Sequence, residues 1–168
     1  MKKLEEPIIQ FLLESNAIEG VFDVISLEQA MKAWTYLIKQ EKLTVDVLLK
    51  THKILMLFQP LPSNEKGYFR RVPVWVGGRE GLRFDKIPDA IDNWLNFMND
   101  VDEEKVNAKK LHIMYEEIHP HTDGNGRTGR MYLNWYLTKK LKQPILIIKA
   151  SERHEYYKWF NEKYYERI

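Results

Sequence analysis

The sequence predicts one mainly α-helical domain that carries a single small β-hairpin. Apolar residues recur at spacings of three and four along most of the chain, the period of helices with one buried stripe. Between Tyr68 and Phe84 that period gives way to β-branched and aromatic residues around Gly77-Gly78, the pattern of a hairpin. The 168 residues, 44% hydrophobic and 12% aromatic, supply one core and too little length for a second. No repeat, low-complexity run or linker divides them, so 1–168 reads as a single domain.

In chain order, Ile8, Ile9, Leu12, Leu13 and Ala17 form the stripe of a first helix. Leu27, Ala30, Met31, Trp34, Leu37 and Ile38 form that of a second, with Ser26 placed as its N-cap. Leu43 to Phe58 reads as a third, stopped by Pro60-Leu61-Pro62. In the hairpin, Pro73 cannot donate to a ladder and marks an edge. Ile87, Ile91, Trp94, Leu95 and Met98 define a fourth helix, and Val106, Leu111, Met114, Tyr115 and Ile118 a fifth. After a glycine-rich loop, Thr128 to Leu141 is apolar on most faces, which marks a central buried helix. Ser151 to Ile168 ends the chain as an amphipathic helix with Tyr156, Trp159, Phe160 and Tyr164.

Composition removes several function classes. Lys and Arg number 26 against 24 Asp and Glu, a net charge of +2 that creates no global field to gather nucleic acid or anionic lipid. With no cysteine there is no disulfide framework, thiol nucleophile or cysteine-based zinc site. Met1-Lys2-Lys3 is followed by Glu5, Glu6 and Pro7 where a signal peptide needs an apolar core. The longest apolar stretches, Ile54 to Phe58 and Ile145 to Ile148, fall far below the ~20 residues of a membrane span. The expectation is a soluble, cytoplasmic protein with no membrane and no nucleic-acid partner.

The chemistry is concentrated in His119-Pro120-His121-Thr122-Asp123-Gly124-Asn125-Gly126-Arg127-Thr128-Gly129-Arg130. His119-x-His121-x-Asp123 has the opening spacing of a zinc hydrolase loop, but no further histidine follows and a helix precedes it. Gly124-x-Gly126-x-x-Gly129 is formally a dinucleotide fingerprint without the strand and βαβ alternation it requires. Gly124 and Gly129 have Walker A spacing, with Arg130 and Met131 where Lys and Ser/Thr must stand. An anion nest uses every residue: Gly124 and Gly126 let backbone N–H groups converge at the start of the next helix, where the dipole favours phosphate. Arg127, Arg130 and Asn134 share one face of that otherwise apolar helix, and guanidinium groups buried there need an anion. Asp123 suits Mg²⁺ shared with phosphate oxygens, and His119, of unperturbed pKa about 6.5, can accept a proton at neutral pH. Together these residues point to nucleotidyl or phosphoryl transfer.

The segment resembles the signature of the Fic family, His-Pro-Phe-x-Asp/Glu-Gly-Asn-Gly-Arg-x-x-Arg. Eight fixed positions agree: His119, Pro120, Asp123, Gly124, Asn125, Gly126, Arg127 and Arg130. With each residue type near one in twenty, chance agreement is on the order of 10⁻¹⁰ per start position. The resemblance extends to the upstream hairpin, Gly67 to Phe84, and to the helix ending in His112 to Pro120, so about 43–160 looks like a Fic core: a helical bundle with a β-hairpin flap. It implies a protein adenylyltransferase in which His119 deprotonates a target hydroxyl that attacks the α-phosphate of ATP and releases pyrophosphate. Asp123 would hold Mg²⁺ bridging the phosphates. The backbone of Gly124, Asn125 and Gly126 would form the anion hole, with the Asn125 side chain near the α-phosphate, while Arg127 and Arg130 neutralise the β- and γ-phosphates. Phosphorylating Doc-type relatives carry Lys where Gly124 stands, so the resemblance sides with nucleotidyl transfer. The usual Phe is His121, expected as a neutral, hydrogen-bonded core imidazole. His112 and His154 read as structural, and His52 is uninformative.

Upstream, Ser15-Asn16-Ala17-Ile18-Glu19-Gly20 is similar to the family's inhibitory pattern, Ser/Thr-x-x-x-Glu-Gly/Asn. Ser15 and Glu19 are i,i+4 on one helix face, and Gly20 suits the position just past the helix end. The same string is also an ordinary solvated helix end with a glycine stop. As an inhibitory helix over residues 1–20, it would place Glu19 where the γ-phosphate meets Arg130, a restraint in cis that needs no separate antitoxin. In the flap, Arg71, Val72, Val74, Trp75 and Val76 are the candidate strand for docking an extended target segment, although alternation equally allows Val74 and Trp75 a core role. The implied partners are ATP and a protein target that the sequence does not name, self-modification included. The alternatives are removal of AMP, a silent nucleotide-binding regulator, and a zinc hydrolase built on His119, His121 and Asp123.

Overall fold

Helix α1, Glu6–Ile18, carries Pro7 in its first turn, where a missing N–H breaks no helical bond. It stops because Gly20, at φ +71°, lets Val21 N–H reach back to Asn16 C=O and Gly20 N–H to Ala17 C=O, each at 3.0 Å. These elements belong to a computed structural model that describes residues 4–100 and 107–165, with side chains through residue 160. Val106 and the Tyr164 side chain therefore lie outside the described residues.

Helix α2, Val24–Leu37, is capped by Asp23, whose carboxylate accepts from the Ser26 N–H at 2.8 Å and the Ser26 hydroxyl at 2.7 Å. Ser26, expected as the cap, lies inside the first turn because the aspartate three residues earlier takes that role. Helix α3, Val45–Leu55, starts at Thr44 and is shorter at both ends than its apolar run. Helix α4 is Ile87–Asn99, and α5, Ala108–Ile118, is capped by Asn107. Helix α6, Asn125–Trp135, begins three residues before the expected Thr128 and ends in a π-helical turn over Tyr136–Lys140. Helix α7, Arg153–Tyr165, follows a short 3₁₀ turn.

The hairpin is smaller than expected. Strand β1, Trp75–Val76, pairs antiparallel with β2, Arg79–Glu80, placing Trp75 opposite Glu80 and Val76 opposite Arg79. Gly77 and Gly78, at φ +58° and +80°, take the two positive-φ positions of a tight hairpin turn. Arg71, Val72 and Pro73 precede the ladder rather than extend it. Trp75 is 71% exposed and Val74 half-buried, so the flap is not core.

All of α6 except Gly126 is buried, and the helix packs against α1, α3 and α5. Trp94, Tyr115 and Tyr132 form one ring cluster, with centroids 5.0, 5.2 and 5.8 Å apart. Their polar atoms stay satisfied, Trp94 Nε1 donating to Leu111 C=O at 2.8 Å and the Tyr132 hydroxyl to Leu48 C=O at 3.2 Å. The Tyr115 hydroxyl meets the Thr128 hydroxyl at 2.8 Å and fixes α5 against α6 beside the loop that joins them. Asn134, although in register with the two arginines, holds the segment after α6: its Nδ2 donates to Leu146 C=O at 3.0 Å and its Oδ1 accepts from Leu146 N–H at 2.7 Å.

Asn134→Ala deletes both bonds at a position 1% exposed. The expected loss is about 2 kcal/mol, read as a lowered denaturant midpoint, with ATP binding unchanged.

Candidate active site

The α5–α6 loop starts at His119, which leaves α5 in the left-handed region at φ 48°, ψ 62°. Its N–H donates to Tyr115 C=O at 3.0 Å, and Pro120 prevents the helix from continuing. The Asn125 side chain folds back into the loop: Oδ1 accepts from His121 N–H at 2.9 Å and Nδ2 donates to His121 C=O at 2.8 Å. Oδ1 and one of the two Nδ2 hydrogens are thereby engaged in closing the loop.

His121 fills the place of the usual phenylalanine by stacking on His52, with centroids 3.7 Å apart and planes 7° from parallel. His121 Nδ1 donates to Tyr68 C=O at 2.8 Å. His52 Nε2 donates to Asp123 C=O at 2.9 Å, while its Nδ1 accepts from Gly67 N–H at 2.9 Å. Burial drives His52 down to about 4 and His121 well below its ordinary value, so both rings are neutral. His52 is thus the loop's anchor on α3, unrecognised from sequence, where only its place on a helical stripe beside Leu48 and Leu55 signalled burial. His112 is structural as expected, bonding the Tyr156 hydroxyl at 2.8 Å, whereas His154 is exposed.

Beyond the loop, Gly124 caps α6 at φ +81°, and a side chain there would strike Met56. A side chain at Gly126 would collide with Glu19. The first-turn N–H groups of Asn125, Gly126 and Arg127 have no helical partner, and they border a cleft of ≈ 120 Å³ shared with Glu19, His119 and Asp123. Ligand sites usually span about 300–1,000 Å³, so this cleft is too small to enclose a nucleotide.

Arg130, 2% exposed, is fully engaged. Its Nε donates to the Ser15 hydroxyl at 2.8 Å, Nη2 to Ser15 C=O at 2.9 Å and to Glu19 Oε1 at 2.6 Å, and Nη1 to the Tyr156 hydroxyl at 3.2 Å. The Glu19 carboxylate remains 36% exposed at the cleft mouth. Arg127 is less well paired: Nη1 donates to Gln59 at 3.2 Å, Nη2 stands 3.8 Å from Asp123 Oδ2, and Nε has no partner among the described residues.

His119 Nδ1 is buried 3.9 Å from Glu116 Oε2, which leaves Nε2 to face the cleft. Burial holds this imidazole below its ordinary pKa, so it is neutral near pH 7. Glu116 is a second residue unrecognised from sequence, although its i,i+3 spacing to His119 was available. A side chain at Gly129 would strike its carboxylate. The zinc reading is not assembled: the His121 ring is committed to its stack and to Tyr68, and no group of three candidate ligands occurs among the described residues.

Residues 42–137 match the Fic/DOC family. The chain belongs to the Fic/DOC family. It is 31% identical over 197 residues to the protein adenylyltransferase Fic of Nematostella vectensis, covering 96% of this chain and 44% of that protein. It is 31% identical over 152 residues to that of Culex quinquefasciatus, covering 86% of this chain and 30% of that one. The chain thus spans less than half the length of these curated relatives. The Fic fold also appears in a Fic domain-containing signalling protein from Bacteroides thetaiotaomicron, with a TM-score of 0.74, 16% identity and coverage of 89% and 69% of the two chains. Fic-1 from C. elegans gives a TM-score of 0.73 at 20% identity over 92% and 54%. No helix among the described residues of this Fic domain is long and apolar enough to cross a membrane.

Burial raises the Glu116 carboxyl to about 7, Arg130 opposing and Glu19 adding to the shift. A folded-state pKa above the unfolded value gives stability that is full below the unfolded pKa and lost as pH rises through the folded one. Glu116→Gln should therefore gain melting temperature relative to wild type between pH 5 and pH 8. A pH-independent difference would exclude this ionisation.

Proposed function

We propose that this Fic domain transfers AMP from ATP to a hydroxyl of a protein, itself among the candidate targets, and that Glu19 restrains the reaction. The observation that carries the reading is the convergence on one cleft of the His119 imidazole, the unpaired N–H groups opening α6, Arg127, and Glu19, behind which the buried Arg130 lies. The relatives named protein adenylyltransferase support it. Residues 1–20 then act as the restraint and about 43–160 as the transferase core.

In this reading a triphosphate lies along the start of α6, with its α-phosphate against the open backbone N–H groups of Asn125 and Gly126, the Gly124 N–H being held by Asp123 Oδ1. Oriented N–H dipoles at a helix start stabilise the charge that grows there. Arg127 and Arg130 take the β- and γ-phosphates, which requires Glu19 to leave Arg130. His119 Nε2 accepts the proton of the target hydroxyl, whose oxygen attacks the α-phosphorus. The bond from that phosphorus to the bridging oxygen breaks, and pyrophosphate leaves against the arginines.

Asp123 fits Mg²⁺. Its carboxylate is 58% exposed at the cleft, Oδ1 accepts from Gly124 N–H at 2.7 Å, and Oδ2, 3.8 Å from Arg127 Nη2, accepts no hydrogen bond among the described residues. One carboxylate suffices where phosphates and water complete an octahedron. When bound, the ion would neutralise charge on the phosphates. The flap, with Arg71, Val72, Val74, Trp75 and Val76, offers an exposed edge on which an extended target segment can pair. No separate antitoxin is required where the restraint lies in cis.

The test is ATP labelled at the α- or the γ-phosphate, given to a Glu19→Gly protein with Mg²⁺. The α label should enter protein and the γ label should not. His119→Ala should lower transfer by about 100-fold or more while leaving ATP binding within a few-fold. Asp123→Ala should lose Mg²⁺-dependent transfer. Incorporation of the γ label, or transfer that survives His119→Ala, contradicts the assignment.

A further inference from the structure

Arg70 is 3% exposed, and its partners among the described residues are backbone carbonyls. Nε donates to His119 C=O at 2.7 Å and Nη2 to Ile118 C=O at 3.3 Å, the last carbonyls of α5 and the residue after it. The other contacts reach the two arms of the flap, Nη1 donating to Val72 C=O at 2.9 Å and Nη2 to Leu82 C=O at 2.5 Å. The Arg70 backbone N–H donates to Pro120 C=O at 2.8 Å. One planar group therefore joins the first arm of the flap, the second arm and the loop that carries His119.

The chemistry of the join is specific. Carbonyls at a helix C-terminus carry the negative end of its dipole and attract a cation. Five N–H donors in a rigid plane can bond carbonyls from three segments at once, which a flexible ammonium cannot. His119 sits in a left-handed conformation that costs a non-glycine residue about 1 kcal/mol or more. Its N–H and C=O are both held, the first by Tyr115 and the second by Arg70.

We propose that Arg70 is a positioning residue that fixes the register between the flap and His119, so that a hydroxyl on a segment paired with the flap is delivered to the imidazole. This rests on the AMP-transfer reading for its purpose and on the four carbonyl contacts for its substance. Displacing a reacting group by about 1 Å can cost on the order of 100-fold in rate, so a loosened flap should slow transfer without weakening ATP.

The experiment compares Arg70→Lys with its parent, both carrying Glu19→Gly, by amide hydrogen exchange and by transfer of α-labelled AMP. Exchange should rise together in 72–82 and 118–122 while α6 stays protected. Labelling at saturating ATP should fall about 100-fold with the KM for ATP unchanged. Exchange that rises in one segment alone, or undiminished labelling, overturns the proposal. If neither protein labels while both segments loosen together, the AMP-transfer reading fails and the linkage stands. Should Arg70→Lys not fold, Gly81→Val approaches from the flap side, since a Cβ there would sit 3.1 Å from Val74 and 3.5 Å from Arg70 Nη2. It should raise exchange at 118–122, and unchanged exchange there overturns the linkage.

Discussion

A guanidinium at the centre of a helical bundle has to be neutralised, and Arg130 decides how the ends of this chain meet. Its partners come from α1, from Glu19 just past the end of α1, and from α7, while Arg130 itself projects from the central α6. Removing one partner of a buried pair commonly costs about 3 to 5 kcal/mol, because the remaining charge is stranded. The same stranded charge is what a phosphate can neutralise. On the proposed reading, the packing of α1 and the binding of a phosphate are two ways of meeting one buried charge.

The cleft follows from that pairing. Gly126 has no side chain, so Glu19 can lie across the start of α6, and the cleft is small while it does. Glu19 is exposed enough to move away, whereas Arg130 is not. Around them the loop is held by two neutral stacked imidazoles, by the Asn125 amide and by the Arg70 guanidinium, whose donors rest on backbone carbonyls. The charged groups of the cleft are left to pair with one another, Glu19 with Arg130 and Asp123 with Arg127.

Much of this was legible in the sequence, for definite reasons. Helical stripes marked every α-helix, since burial on one face demands the 3.6-residue period, and the glycines at 124 and 126 stand where α6 opens beside the cleft. Ser15 and Glu19 could be placed on one face with Gly20 past the helix end, and the structure puts that face on Arg130. What was not legible depended on partners distant in the chain. His52 gave no sign of the His121 ring it stacks on, and Arg70, in a basic pair beside Arg71, gave no sign that only one of them is buried. Asn125 has equal capacity to bind a ligand or to close its own loop, and spacing cannot choose. Asp23 and Ser26 are both good caps, so local chemistry left that helix start ambiguous.

The central claim is that Glu19 and the terminal phosphate of ATP compete for Arg130. The most direct measurement is the ATP-induced rise in melting temperature, with AMP transfer, in wild type, Glu19→Gly and Arg130→Ala. The account predicts a larger rise and faster transfer in Glu19→Gly than in wild type, and neither in Arg130→Ala, because a ligand stabilises only the state it binds. Equal ATP stabilisation and equal transfer in wild type and Glu19→Gly would contradict it and reduce Ser15 to Gly20 to a helix end.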